Sequence, residues 1–311
     1  MKIYHGLWDK NLKRRPRSIA IGIFDGVHRG HRRILSRGVY DAKRFHAPSM
    51  VVTFDPHPVK ILKPAAAHPI LMSLPHRLRF FERLGVEETL VIRFNRRFSQ
   101  TTRERFLKEL LIGKLGMRSL CVGHDFRFGC RGEGDAAYLS EKSRELGFHL
   151  SFVRPVKYRR EIISSTRIRR LIESGRLGTA REMLGRPVSV YGTVVHGRGR
   201  GKSVGFPTAN LNPHHETLPP AGVYAAWGFL NGRRLKGVIH IGEKPTFNDK
   251  EKSLEVHFLN FHKNIYGKEI ELIFVARLRG IRRFKSREDL SGAIQKDAGQ
   301  ALRILRRKAA I

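Results

Sequence analysis

Residues Gly22-Ile23-Phe24-Asp25-Gly26-Val27-His28-Arg29-Gly30-His31 constrain this chain more than any other stretch. A short apolar run, Ser18 to Ile21, precedes them, and helical spacing follows. Two histidines three residues apart therefore fall in the first turn of a helix. That turn presents free backbone N–H groups and the positive end of the helix dipole. Glycines before and between the histidines let a polyanion approach the backbone closely. The segment reads as a phosphate site with the imidazoles of His28 and His31 aimed at it. A Gly-rich turn carrying two surface histidines is the plainer alternative. The strand, the glycines and the helix start standing in register speak against it.

The pattern around this segment alternates. Strand-like runs at 18–24, 50–54, 88–94, 119–122 and 148–153 are separated by helical spacing at 28–44, 76–84, 102–112 and 136–146. Such alternation predicts an α/β domain of Rossmann-like, nucleotidyltransferase type, a parallel sheet with helices on both faces. Ligands then sit at the carboxyl ends of the strands. The glycine-histidine segment, the turn Asp55-Pro56-His57-Pro58 and the turn Gly123-His124-Asp125-Phe126 all fall at such ends. Ile163 to Arg169 opens one more helix, with Ser164 or Ser165 as its N-cap. Taken alone, Ser164-Ser165-Thr166 is an ordinary cap.

Beyond Gly185-Arg186-Pro187 the periodicity changes to short β segments at 188–195, 223–229, 235–241, 254–261 and 270–278. These predict a mostly antiparallel β-barrel. A last helix starts at Ser286, its apolar stripe formed by Leu290, Ile294, Ala298, Ala301, Leu302 and Leu305 and packed on the barrel. The expected division is residues 1–185 and 186–311.

The 311 residues suffice for two domains with real cores. Lys and Arg number 61 against 27 Asp and Glu, a formal charge of +34. Attraction to polyanions follows. The basic pairs are dispersed along the chain, which favours a general property of the surface over a dedicated nucleic-acid groove. Two cysteines, Cys121 and Cys130, cannot build a disulfide framework. Residues 1–17 hold no signal-peptide core, and no run of about 18 apolar residues offers a membrane span. A soluble cytoplasmic protein is expected.

The second half carries its own signal, Gly197-Arg198-Gly199-Arg200-Gly201-Lys202-Ser203-Val204-Gly205-Phe206-Pro207-Thr208-Ala209-Asn210. A P-loop would need glycine at 196, where His196 stands, and would open a helix, which Pro207 and the flanking β pattern forbid. A basic glycine loop over phosphates remains, with Gly199, Lys202, Gly205 and Pro207 as its candidates. Thr208 and Asn210 supply oxygens two residues apart, suited to Mg²⁺ held together with nucleotide phosphates. In Leu254-Glu255-Val256-His257-Phe258, alternation puts Glu255 opposite the apolar face. It can act as general base for an attacking hydroxyl; spacing alone favours an exposed strand residue.

Together these motifs resemble the bacterial bifunctional riboflavin kinase/FMN adenylyltransferases. The resemblance rests on Gly22 to His31, Thr53 to Pro58, Gly123 to Gly129 and Ile163 to Arg169. It continues through Gly205 to Leu211, Gly222 to Ala225, Ile241 to Phe247 and Glu255 to His257, in that order. It implies that the barrel phosphorylates riboflavin with ATP to FMN, Thr208 and Asn210 holding Mg²⁺ and Glu255 acting as base. It implies that the first domain adenylylates FMN with ATP to FAD, His28 and His31 stabilising the transition state. Gly22, Phe24, Asp25 and Gly26 would then contact the nucleotide. Asp125, Phe126 and Phe128 would line the flavin side, and Ser164, Thr166 and Arg167 the ATP phosphates. Small molecules are the expected partners, with no membrane, no specific nucleic acid, and self-association left open. Three departures stand out: Ile23 and His240 replace the family's usual Asn, and Lys244 its usual Arg. A transferase for another phosphorylated acceptor, with the barrel as a binding module, is the competing reading.

Overall fold

Apolar runs bounded by glycines and prolines become strands, and the amphipathic stretches between them become helices, in a computed structural model. It describes residues 1–196, 206–214, 216–245, 250–261 and 263–307. Two compact units result. The first comprises Met1–Ile70 and Leu74–Ser165; the second comprises Leu71–Ser73 and Thr166–Ile311.

The first unit is built on six parallel strands: β1 (Lys2–His5), β2 (Arg17–Ile21), β3 (Ser49–Asp55), β4 (Glu88–Arg93), β5 (Met117–Gly123) and β6 (His149–Val153). Their order is β1-β4-β3-β2-β5-β6. The chain runs outward from β2 through β3 and β4, then returns to lay β5 on the other side of β2. Such a reversal opens a crevice at the carboxyl ends of the strands flanking it. Helices α1 (Arg29–Arg44), α2 (Pro58–Leu62), α3 (Leu74–Arg83), α4 (Arg96–Ser99) and α5 (Ala136–Leu146) make most of the connections.

Strand alternation fills both faces of this sheet. Ile19 and Ile21 join Met50, Val52, Leu90, Ile92, Leu120 and Val122 in the main core. Ala20 points the other way, under α1. A Cβ at Gly38 would stand 3.1 Å from the Ala20 Cβ, so the glycine lets helix and strand meet. Residues Arg105–Lys114, expected as an α-helix, wind instead as a π-helix, with the Leu115 N–H bonded to the Leu110 carbonyl. Phe106, Leu107, Leu110 and Leu111 are all buried by this wider turn. The Cys121 thiol is buried, which pushes its pKa up to about 12 and leaves it unreactive.

At the other end of the sheet lies a buried ion pair. Arg17 and Glu88 are each 1% exposed, and the Arg17 Nε donates to Glu88 at 2.7 Å. Tyr4 and Arg15 donate to the same carboxylate. Burial alone would raise the Glu88 pKa; the hydrogen bonds from Arg17, Tyr4 and Arg15 outweigh it and hold it below 4.5.

The second unit begins with α6 (Ser165–Glu173, after its first residue) and α7 (Leu177–Leu184). It closes a six-stranded barrel from β9 (Ser189–Val195), β10 (Ala209–Asn212), β11 (Gly222–Leu230), β12 (Arg233–Pro245), β13 (Lys250–Phe258) and β14 (Glu269–Arg279). The order is β10-β13-β12-β11-β14-β9, all antiparallel. The hairpin β7 (Lys157–Tyr158) and β8 (Glu161–Ile162) precedes it in the chain. The compact units divide at Ser165/Thr166, earlier than the expected boundary at 186. The reason is packing: Leu177, Gly178 and Arg181 of α7 share a hollow with Val188, Phe274 and Val275. Leu71–Ser73 joins this unit through Glu216, which accepts from the Ser73 N–H and hydroxyl, each at 2.7 Å, and from the Tyr191 N–H.

Helix α8 (Arg287–Arg307) covers Val223, Ala225 and Trp227 of β11 with Ala301 and Leu305. Its buried line is Ala293, Asp297, Ala301, Leu305. The expected stripe is thus displaced: Leu290, Ile294, Ala298 and Leu302 are only half-buried. Asp297 holds the centre because Arg279 grips it from β14, at 2.8 to 3.1 Å.

Replacing Arg17 by Met should cost about 3 kcal/mol in urea unfolding, since it strands a buried carboxylate. A loss under about 1 kcal/mol would mean Tyr4 and Arg15 suffice. Glu88 has a lowered folded pKa, so its stabilisation is present at neutral pH. It fades as pH falls below 4.5 toward the folded value.

Candidate active sites

In the first unit the loop from β2 to α1 carries the histidines. His28 is the N-cap of α1, its Nδ1 accepting the His31 N–H at 3.3 Å. That acceptor role leaves Nε2 as the donor of a neutral His28 ring. The two rings stack at 3.6 Å between centroids. His31 packs on the edge of Phe24, and its buried Nδ1 has no hydrogen-bond partner among the described residues. Burial holds the His31 pKa well below 6.5, and positive charge on Arg77, or on His28 when it is protonated, lowers it further. A neutral, desolvated imidazole with an open nitrogen is ready to bond a phosphoryl oxygen.

The loop is wound tightly. Phe24, Gly26 and Val27 take φ of 54°, 85° and 39°. For a β-branched residue such as Val27 this is strained, and such strain persists only where the surroundings fix it. Phe24, Asp25, Gly26, Val27 and His28 are all buried, and Gly22 is half-buried against the Phe24 ring.

Arg77, unremarked in the sequence, supplies part of that fixing. From the buried face of α3 its Nη1 donates to the Ile23 carbonyl at 2.6 Å and to Thr53 Oγ1 at 3.0 Å. Thr53 also donates to the Ile23 carbonyl. The visible role of residue 23 is thus played by its backbone, which any residue provides, and Ile in place of Asn leaves it intact. The only sequence signal for Arg77 was a cation on the same helix face as Phe81.

After β5, Asp125 is exposed and folds back over Gly123, where a Cβ would meet its Oδ1 at 3.0 Å. Phe126 is half-buried and stacks on Phe128 at 5.6 Å. Phe128 is buried behind it against Phe106 and Tyr138. Phe54, Phe94 and Phe98 extend this aromatic line toward the end of β3, also unanticipated. At the start of α6, Ser165 donates its hydroxyl to the Asp25 carbonyl at 2.8 Å. Ser164 is half-buried; Thr166 is exposed and Arg167 half-buried, both belonging to the second unit.

In the barrel the alternation of β13 is as expected. Leu254, Val256 and Phe258 are buried, while Glu255 and His257 are half-buried on the opposite face. Glu255 pairs with Asn210 of β10 on one side and His240 of β12 on the other. Thr208 Oγ1 donates to Glu255 Oε2 at 3.3 Å. His257 Nδ1 bonds the Pro207 carbonyl at 2.8 Å and so fixes the approach to Thr208. Thr208, Asn210 and Glu255 therefore come together, although Thr208 and Glu255 stand 47 residues apart in the chain. Pro207 is exposed beside them. Gly199, Lys202 and Gly205 lie outside the described residues.

Known proteins match both halves. The FAD synthetase family model matches residues 10–167, and the riboflavin kinase model residues 184–305. A bifunctional riboflavin kinase/FMN adenylyltransferase of Escherichia coli is 36% identical over 301 residues, covering 96% of each chain. Its namesake in Bacillus subtilis is 32% identical, covering 92% of this chain and 91% of the relative. A crystal structure described as a macrolide-efflux protein from Streptococcus pneumoniae superposes with a TM-score of 0.82 at 28% identity, covering 97% of this chain and 99% of that one. Among the described residues no helix is long and apolar enough to cross a membrane. With both family models matched in order, and relatives above 30% identity along nearly its whole length, the chain belongs to the bifunctional riboflavin kinase/FMN adenylyltransferase family.

Proposed function

We propose that this chain phosphorylates riboflavin with ATP to give FMN, and adenylylates FMN with a second ATP to give FAD and pyrophosphate. The kinase is assigned to residues 186–311 and the adenylylation to residues 1–185. Each half rests on one observation: the Thr208–Glu255 hydrogen bond beside Asn210, and the stacked His28/His31 pair at the head of α1.

In the kinase, the ribityl hydroxyl gives its proton to Glu255 as its oxygen attacks the γ-phosphorus, and ADP leaves. Thr208 and Asn210 are the residues that would hold Mg²⁺, which supplies charge neutralisation on the ATP phosphates. The donor set fits: neutral oxygens meet one carboxylate, and no cluster of three or more His, Cys, Asp or Glu among the described residues forms a cage of its own. Mg²⁺ favours such sparse sites, completed by phosphates and water.

In adenylylation, an FMN phosphate oxygen attacks the α-phosphorus and the bond to the β-phosphate breaks. His28 and His31 donate to the non-bridging oxygens where charge builds, pre-oriented by their stacking and by the α1 N-terminus. Gly22, Phe24, Asp25 and Gly26 shape the nucleotide side of this loop. Asp125 and Phe126, backed by Phe128, offer the flavin an aromatic face, and Ser164, Thr166 and Arg167 are assigned to the ATP phosphates. Gly199, Lys202, Gly205 and Pro207 are assigned to ATP in the kinase. The partners are these small molecules, the compartment is the cytoplasm, and sequence-specific nucleic-acid binding is not part of the proposal.

Glu255→Gln should lower riboflavin phosphorylation about 10²- to 10⁴-fold and leave FAD formation from supplied FMN unchanged. His28→Ala should do the reverse, lowering adenylylation about 10²- to 10³-fold. Chromatographic separation of the flavins after incubation with riboflavin, ATP and Mg²⁺ reads both; either variant losing both activities equally contradicts the division of labour. His31 should remain neutral at pH 6.5 in a ring NMR titration. A His31 ring already half-protonated there would remove it as a neutral donor.

A further inference from the structure

We propose that Arg77 is a positioning residue for adenylyl transfer, holding the strained loop that carries His28 and His31 at the pitch the α-phosphoryl group requires. The inference rests on the adenylyltransferase reading of the first unit and adds a residue to it.

The Arg77 side chain is 4% exposed, so it stands behind the loop, away from solvent. Its guanidinium is a rigid planar fork of five donors. Here the fork bridges the ends of two strands. Nη1 bonds the Ile23 carbonyl, just beyond β2, and the Thr53 hydroxyl on β3. Nη2 bonds the Phe54 carbonyl at 3.4 Å and lies 3.7 Å from Asp55 Oδ1. The Asp55 carboxylate is itself 49% exposed. Two backbone carbonyls and a hydroxyl are neutral acceptors, and desolvating a guanidinium against neutral acceptors costs stability. An apolar side chain on α3 would pack there without that cost.

What the arginine adds is definition. The segment from Ile23 to His28 contains two non-glycine residues at positive φ, Phe24 and Val27. Nothing in their local chemistry favours that winding, so contacts from outside must impose it. Arg77 grips the loop at its first residue, and the Ser165 hydroxyl grips it again at the Asp25 carbonyl. His28 follows and sets the first turn of α1, which in turn sets His31. Among the described residues, His28 on its own helix start and Arg77 from α3 both disfavour protonation of His31. Arg77 therefore acts on His31 twice, through the loop and through its charge.

The two effects are separable. Arg77→Met removes fork and charge; Arg77→Lys keeps the charge but cannot bridge both strand ends. With full-length protein and FMN supplied directly, Arg77→Met should lose about 100-fold in kcat for adenylylation, the scale of a small misplacement of catalytic groups. KM for FMN should change little, and riboflavin phosphorylation in the same sample should not change. In Arg77→Lys kcat should stay low while the His31 ring titrates as in the parent; in Arg77→Met that titration should move to higher pH. Parent-like kcat in either variant overturns the proposal. Should Arg77→Met lose the kinase as well, Arg77→Lys alone decides by the same criterion. Parent protein that forms no FAD from FMN and ATP would instead sink the adenylyltransferase reading, before any variant is compared.

Discussion

Parallel strands bring all their carboxyl ends to one edge of a sheet, and the chemistry of the first unit is arranged by that constraint. The loops after β2, β3 and β5 meet there whatever their separation in the chain. His28 and His31 come from the first, Thr53 and Asp55 from the end of the second, and Asp125 and Phe126 from the third. The helix that begins at this edge contributes its N-terminus, and Gly38 lets it lie close on β2. The opposite edge carries the buried Arg17–Glu88 pair, which ties β2 to β4 across β3.

The barrel cannot gather groups in this way, because antiparallel neighbours alternate their ends. It gathers them by register instead. Asn210, Glu255 and His240 stand side by side across β10, β13 and β12, and Thr208 leans in from the residue just before β10. A slip of one residue in β13 would turn Glu255 inward and Val256 outward. The buried row of Leu254, Val256 and Phe258 is what forbids the slip. Core packing thus sets the position of the proposed base.

Much of this was legible because it is local. The glycine-histidine segment announces a turn and a helix start within ten residues, and the period-two alternation of β13 places Glu255 on its face. What stayed hidden depends on distant partners. Arg77 meets Ile23 across 54 residues, and an arginine on a helix carries no mark of what its fork will span. Asp297 takes the centre of the α8 stripe only because Arg279 waits on β14. The π-helix at Arg105–Lys114 has the same apolar spacing, to the eye, as an α-helix. Strand β10 has no apolar alternation to announce it, because the polar Asn210 and Asn212 interrupt the pattern.

The Leu71–Ser73 segment has a consequence for how the chain can be divided. The chain passes from the first unit to the second at Leu71, back at Leu74, and over again at Thr166. No single cut separates two complete units. A fragment starting after Gly185 would keep Glu216 but lose the Ser73 N–H and hydroxyl that occupy one of its carboxylate oxygens. It would also lose α6 and α7, which belong to the same unit. The two chemistries are arranged one after the other, but the bodies that carry them are stitched together by the backbone. A cut at the 185/186 boundary therefore runs through the second unit itself instead of between two complete bodies.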